Sequence, residues 1–444
     1  MDGTSTTLRS AVLEGDREGA DRWVRARLGP RDRAQQLGLL SPDETAALTD
    51  TVDDETLAEL VGALRARDAA RLLVHLDPTT AGRVLAALPP DRATDLLQAV
   101  GTETLPGVLV AMPPARVAEL EDLARWPPHT AGGRMTPAFV AVTADVRADD
   151  AISGLRRVGA EAETISYVYV IDDGELLRGV LSLRALVLSD PSTPVSELMD
   201  TDVVTVSPLT DQEEAARQLT EHDLIAIPVV DAGRLIGIIT VDDVADIIEE
   251  ETTEDFSRLG GSQPLEVPYL QASPVQLWRK RVLWLLALFV AEAYTGTVLR
   301  YFEADLEAVV ALAFFIPLLI GTGGNVGSQI VTTLVRAMAV DDVRLSDVGR
   351  VIRKETATGA MLAVVLAAVA FVRALFLDVG YDLAIVVTLT IVTIVLWASL
   401  IGAILPPVLR RLRIDPAVVS APFITTLVDG TGLLIYFGIA RLIL

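Results

Sequence analysis

The sequence predicts a multi-domain protein: an α-helical solenoid, then a tandem α/β pair, then an all-α membrane domain with five transmembrane helices. Three observations carry this prediction. A short punctuation recurs every 12 residues in the first 125, two alignable β-rich copies follow, and five long apolar segments close the chain. The expected boundaries are 1–130 for the helical domain and 131–248 for the pair, divided into 131–192 and 193–248. An acidic connecting helix is expected over 249–277 and the five-helix pore domain over 278–444.

Composition sets the frame for each element. Of the 444 residues 51% are apolar, and the mean hydropathy of +0.44 is high for a soluble protein. Before Arg279 the chain has 23 basic and 48 acidic residues, and from Arg279 onward 14 and 12, so the net charge of −25 in the front part gives way to about +2. An acidic front half repels phosphate and excludes nucleic acid as a partner. It suits cations, or simply a solvated surface. Without Cys there is no disulfide or thiolate metal site, and His75, His129 and His222 are too scattered for a zinc cluster. The polar start "MDGTSTTLRS" has no apolar core behind a basic cap, so no cleaved signal peptide is predicted and the front half is expected in the cytoplasm.

In the first domain "HLDPT" (75–79), "ALPPD" (87–91), "AVGTE" (99–103) and "AMPPA" (111–115) punctuate segments such as "RATDLLQAV", whose apolar residues have helical spacing. Proline is tolerated at the first helical position, so each punctuation can end one short helix and begin the next. Stacked units of this kind share one core.

The Pro/Gly-rich "RWPPHTAGGRM" (125–135) reads as a linker. After it, "FVAV", "SYVYVI" and "RGVLSL" are matched by "VVTV", "IAIPVV" and "IGIITV". Met135-Thr136 aligns with Met199-Asp200, and each copy reads as strand, helix, strand, strand, helix. The pair resembles cystathionine-β-synthase-type (CBS) domains. In that family a Gly-h-h-Thr-x-x-Asp stretch can hold a nucleotide ribose; the second copy has Gly237, Thr240 and Asp243, whereas the first has Gly179, Ser182 and Ala185 and lacks the acceptor. Either the second copy binds ATP or another adenine nucleotide, or the pair is structural and ligand-free.

"TVDDVADIIEEETTEDFSRLGG" (240–261) has helical periodicity and is crowded with acid. Asp243, Asp246, Glu250 and Glu254 share a face, where like charges cost a few tenths of a kcal/mol per pair. Solvent can absorb this, and a divalent cation with its preference for hard oxygen ligands relieves it better.

Apolar segments at about 281–301, 308–334, 356–377, 383–405 and 416–440 are each long enough to cross the bilayer. Basic residues collect before the first, between the second and third, and between the fourth and fifth. The positive-inside rule then puts the acidic domains in the cytoplasm and the C-terminus outside.

Two spans contain residues that plain lipid contact does not explain. "PLLIGTGGNVGSQIVTT" (317–333) is rich in glycine, Gly324 among them, which suits either close helix packing or backbone carbonyls lining a cavity. Asn325 and Gln329 lie one turn apart and can face one lumen. In the last span Asp429 is a carboxylate at membrane depth, costing a few kcal/mol or more unless it meets a cation, a base or water. No Lys or Arg lies deep in the other spans, and Glu292 in the first is the only comparable acid. Cation contact in a wet cavity is the favoured reading of Asp429; a proton relay and a protonated structural Asp are its rivals.

Together, the helical domain, the tandem pair, the acidic helix and five spans resemble the bacterial magnesium transporters and channels of the MgtE type. The most specific pieces are "GGNVGSQ" (323–329), "DPAVVSAPFITTLVDGTGLLIYF" (415–437) and "WPPHTAGGRM" (126–135). The resemblance implies a homodimer in the cytoplasmic membrane with the pore between subunits, and Mg²⁺ as both substrate and regulator. It gives Asp429 contact with hydrated Mg²⁺, with Asn325, Thr425 and backbone carbonyls binding the outer waters. It further implies that the connecting helix acts as a plug, with Asp243, Asp246, Glu251 and Glu254 sensing cytosolic Mg²⁺ and Asp415 meeting them at the mouth of the last span. Two rival readings remain. One is a transporter of another divalent ion, Co²⁺ or Ca²⁺; the other is a membrane-anchored Mg²⁺ or nucleotide sensor that does not conduct. The sequence has no nucleophile–base pair and no phosphate-cradling loop, so an enzyme is not expected.

Overall fold

A computed structural model describes residues 8–444 apart from 27, 65, 100–104, 160–161 and 266–268. The chain divides into two units, 1–250 and 251–444. The repeat read at "AVGTE" lies largely outside the described residues.

The first unit opens with short helices whose starts keep the 12-residue period: Asp54–Gly62, Ala66–Val74, Pro78–Ala87, Pro90–Ala99 and, after Leu105–Val110, Pro114–Ala124. Each helix packs on the one two places on, so alternate helices form two stacked rows around one core. Leu57, Leu60, Val84, Leu85, Leu96 and Leu120 fill that core. The starts are set by caps: Asp53 accepts from the Thr56 amide, and Asp77 from those of Thr79 and Thr80. The repeat also recurs in the ties between rows. Arg92 donates to the carbonyl of Leu64, and Arg116, two repeats later, donates to that of Leu88.

The tandem pair follows in the same unit. In the first copy Ala141–Val142 pairs parallel with Tyr167–Ile171, which pairs antiparallel with Leu177–Ser182. Helices Ala148–Val158 and Leu183–Leu188 complete the copy. In the second copy Ala226–Asp231 and Arg234–Thr240 form the hairpin. Its turn residues Ala232 and Gly233 both have positive φ, as a type I′ turn requires. The strand expected at "VVTV" shrinks to a single parallel bridge, Val206 with Val229. Pro208 follows two residues later and has no amide to extend the ladder.

The two copies exchange their leading segments. Thr136, ahead of the first copy, pairs with Ile238 of the second, and Asp200, ahead of the second, pairs with Val180 of the first. This explains both glycines of the Gly-h-h motif. A Cβ at Gly237 would lie 2.7 Å from the Met135 sulfur, and one at Gly179 would lie 2.9 Å from that of Met199. Glycine is needed so that the leader methionine of the opposite copy can lie across the strand.

A single acidic helix, Val241–Leu259, carries the chain from residue 241 past the division at 250. The second unit then holds five helices long and apolar enough to cross a membrane: Pro274–Tyr301, Val310–Ala339, Leu345–Phe376, Tyr381–Arg411 and Ala421–Ile443. They extend beyond the apolar segments because flanking basic residues such as Arg350, Arg353 and Lys354 continue the helix past the hydrocarbon. The fourth span is central and packs on the second, third and fifth. Gly359, Ala363, Ala367, Ala370 and Ala374 line the buried face of the third, the small-residue seam that lets membrane helices approach closely. The fifth packs on the first, second and fourth. Tyr436 donates to the Leu312 carbonyl at 3.0 Å, and Trp397 donates to the Thr431 hydroxyl at 2.9 Å. The first span is the least covered, with 11% of its apolar window buried.

Candidate functional site

The second and last spans meet along the glycine run. A Cβ at Gly323 would lie 2.6 Å from Val428, one at Gly324 2.8 Å from Thr425, and one at Gly327 2.6 Å from Ile424. Each contact would be a clash, so these glycines serve close packing of two helices. That packing fixes what lies on either side of it. Asn325 and Gln329 fall on the exposed face of the second span, one turn apart. The Thr425 hydroxyl donates to the Ala421 carbonyl at 2.9 Å and lies 3.5 Å from that of Ser328. Ser420 caps the last helix by accepting from the Phe423 amide, and Trp284 of the first span donates to the same hydroxyl at 3.2 Å.

Asp429 follows Thr425 by one turn. It is 8% exposed, and its Oδ1 is buried with no hydrogen-bond partner. It sits between two tight contacts of its own helix, Val428 against Gly323 of the second span and Gly430 against Tyr294 of the first. Among the described residues no basic side chain pairs with it, and Glu292 of the first span is a charge that acts on it. An ionised carboxylate so placed requires a mobile cation or water.

The acidic helix carries the other expected residues. Thr240 precedes the helix; its hydroxyl lies 2.6 Å from Asp242 and 2.9 Å from Asp243, and its amide donates to Asp243 at 3.4 Å, so the Thr-x-x-Asp stretch acts as part of a helix cap. Asp246 is exposed one turn on, and Glu251 is half-buried. In the second unit Glu254 and Asp415 are brought together by Arg258, which pairs with both. Asp415 also caps the short turn Pro416–Val418 by accepting from the Ala417 amide at 2.8 Å. Burial, then the charge of Asp415, raises the Asp255 carboxyl above the ordinary carboxylate range. Among the described residues no three His, Asp or Glu side chains converge as a ready-made metal cage.

Sequence reasoning missed a second group of carboxylates, in the first unit. Asp91 and Asp95, one turn apart on Pro90–Ala99, lie near Asp242 and Asp243. Desolvation, followed by the charge of Asp91, pushes Asp243 up to about 7. Desolvation pushes Asp95 up to about 6 even though Arg134 opposes it. Arg134, from the linker motif, is the organiser: it reaches Glu250 at 2.5 Å, Gln212 at 2.7 Å and Asp95 at 3.4 Å. The like-charged i, i+4 pair in "PDRATD" was the available signal. For Arg258 the signal was its standing as the one base within 240–261.

Between the two copies lies a cleft of about 330 Å³, lined by Tyr167, Tyr169, Ser182 and Ala185 of the first and by Asp200, Asp202, Ala226 and Pro228 of the second among others.

Comparison with known proteins aligns these features with one family. The model described as MgtE, divalent cation transporter, matches residues 316–439; that of the MgtE intracellular N domain matches 28–129; and the CBS domain model matches 131–190 and 195–250. The magnesium transporter MgtE of Thermus thermophilus is 48% identical over 329 residues, 74% of this chain and 73% of that protein. The magnesium transporter MgtE of Bacillus subtilis is 36% identical over 323 residues, 72% and 70% of the two chains. A crystal structure of the cytosolic domain of the Mg²⁺ channel MgtE in complex with ATP is 37% identical, with a TM-score of 0.50, and covers 55% of this chain and 99% of that one.

Proposed function

The chain belongs to the MgtE family of divalent cation transporters, and on that premise we propose that it is a multi-pass membrane channel or transporter that takes up Mg²⁺ and is shut by cytosolic Mg²⁺. It is not an enzyme. The observation that carries the reading is Asp429, almost wholly buried in the final span with an unpartnered oxygen and no basic neighbour.

Mg²⁺ gives up its water reluctantly, so a path for it needs acceptors for a hydrated ion. Asp429 supplies charge, and Asn325, Gln329 and Thr425 supply neutral acceptors for the outer waters, whereas Gly324, expected to contribute there, is buried against Thr425. The exposed Asn325–Gln329 face and the thinly covered first span support a homodimer in which two such faces enclose the pore. With cytoplasmic N-terminal domains, five spans leave the C-terminus outside.

Closure follows from charge. Like charges along the acidic helix, at Asp243, Asp246, Glu251 and Glu254, repel when divalent cation is scarce, Arg258 offsets part of the charge of Glu254 and Asp415, and bound Mg²⁺ stabilises the closed form by its higher affinity for that form. The solved relative contains ATP, and the CBS pair here is proposed to bind adenine nucleotide weakly. The cleft between the copies has Ala185 at the first copy's acceptor position, and Asp200 and Asp202 in its lining repel a triphosphate. Calorimetric titration giving ATP a sub-micromolar affinity would contradict that.

The test of transport is Mg²⁺ influx into liposomes holding the full chain, with Co²⁺ and Ca²⁺ as competitors. Influx in the wild type and its loss in Asp429→Asn are expected. Absence of Mg²⁺ influx in the wild type would overturn the reading and leave the Co²⁺ or Ca²⁺ transporter and the non-conducting sensor, which direct Co²⁺ and Ca²⁺ flux then separates.

A further inference from the structure

The polar patch of the first span is not absorbed by anything above. That span carries Glu292, Tyr294, Thr295 and Thr297 in an otherwise apolar helix. Glu292 and Thr295 are three residues apart and share a face. The Tyr294–Thr295 turn is seated on Gly430: a Cβ there would lie 2.5 Å from the Tyr294 ring and 3.2 Å from the Thr295 hydroxyl. Only glycine next to Asp429 lets the first span come this close.

Two residues at this contact, Thr295 and the Asp429 beside Gly430, each hold a buried oxygen without a partner. Thr295 is 7% exposed and its Oγ1 has no hydrogen bond; Asp429 is 8% exposed and its Oδ1 has none. Leaving such groups unserved is costly, and native structures seldom do so without a reason. A lone hydroxyl in a membrane helix commonly satisfies itself on the carbonyl one turn back. Thr297, Thr322 and Thr333 do this, but Thr295 does not. Glu292, half-buried one turn away, is the charge that bears on Asp429. Two carboxylates that feel one another's charge at low dielectric repel, and among the described residues neither is ion-paired to a basic side chain.

We propose that Glu292, Thr295 and Asp429 form one divalent-cation site, in which the first span contributes a second carboxylate to the ion path and sets its affinity for Mg²⁺. The proposal rests on the transport reading. The occupant is a doubly charged cation because a monovalent one would leave the pair with net negative charge. Its water shell accounts for a hydroxyl being present, since Thr295 and the two carboxylates can all accept from bound waters.

Liposomes containing the full chain and a trapped Mg²⁺ indicator give the concentration of Mg²⁺ at half-maximal influx. Glu292→Gln is expected to raise it about tenfold, the equivalent of on the order of 1.4 kcal/mol. Glu292→Asp is expected to restore it to within about twofold, and Thr295→Val, which keeps the shape, to raise it about threefold. An unchanged half-maximal concentration in Glu292→Gln overturns the proposal. So does Glu292→Asp behaving like Glu292→Gln, which would mark a steric role. If Glu292→Gln does not insert, Thr295→Val decides, and its matching the wild type overturns the site. Wild-type protein without influx, or Asp429→Asn with full influx, defeats the transport reading itself, an outcome distinct from a normal Asp429 dependence with an indifferent Glu292.

Discussion

Arg258 is ion-paired to Asp415, 157 residues further along the chain, and also to Glu254 one turn before it. A fixed guanidinium thus holds oxygens that a divalent cation would need. Arg258→Gln removes that competitor, and the Mg²⁺ needed for half-inhibition should fall several-fold in patch recordings with Mg²⁺ on the cytoplasmic face. Asp415→Asn should raise it. No change in either variant would remove these residues from the sensing machinery. Both members are partly exposed, so the effect on stability should stay within about 1 kcal/mol.

The carboxylates around Asp95 and Asp243 make stability depend on pH with a definite sign. Their folded values of about 6 and about 7 lie above the ordinary 3.8. Below about pH 4 both states hold the protons and there is no contribution. As pH rises toward about 7 the unfolded chain releases them first, so stability falls, and the whole penalty is present above that. In chelator, the melting temperature of the full chain should drop by a few degrees between about pH 5 and about pH 8. Millimolar Mg²⁺ should restore it at the higher pH and add little at the lower. Asp95→Asn with Asp243→Asn should flatten both responses. A melting temperature that climbs through this window without Mg²⁺ would contradict the assignment.

The exchange of leader segments predicts a specific packing defect. Gly237→Ala places a methyl 2.7 Å from the Met135 sulfur and 3.0 Å from its Cβ, so the whole side chain must move, at about 1–3 kcal/mol. Met135→Ala in the same chain should recover most of that loss, seen as a melting temperature higher than that of Gly237→Ala alone. Gly237→Ala with an undisturbed melting temperature would show that the leader is not seated there.

Much of this architecture was legible in the sequence because its periods are short and physical. The 12-residue punctuation placed the helix starts, and the aligned Met135-Thr136 and Met199-Asp200 located the leaders. What the sequence could not show was which copy each leader joins, because that is settled by tertiary pairing, of Thr136 with Ile238 and of Asp200 with Val180. It offered Gly237, Thr240 and Asp243 either as a ribose motif or as structural, and could not show that Met135 lies close over the glycine or that the Thr240 hydroxyl bonds to Asp243. The glycines near Asn325 stayed ambiguous between carbonyl lining and helix contact until Thr425, Ile424 and Val428 were seen against them. Asp91, Asp95 and Thr295 went unnoticed since each looks ordinary within its own helix and gains meaning only from what packs on it.

The most direct measurement of the central claim uses Mn²⁺ as an anomalous scatterer in crystals of the full chain. A peak within reach of the Asp429 carboxylate, either directly or through one water, is the predicted result. Its absence, with that carboxylate turned to lipid or bonded to a neighbouring helix, would contradict transport along this path.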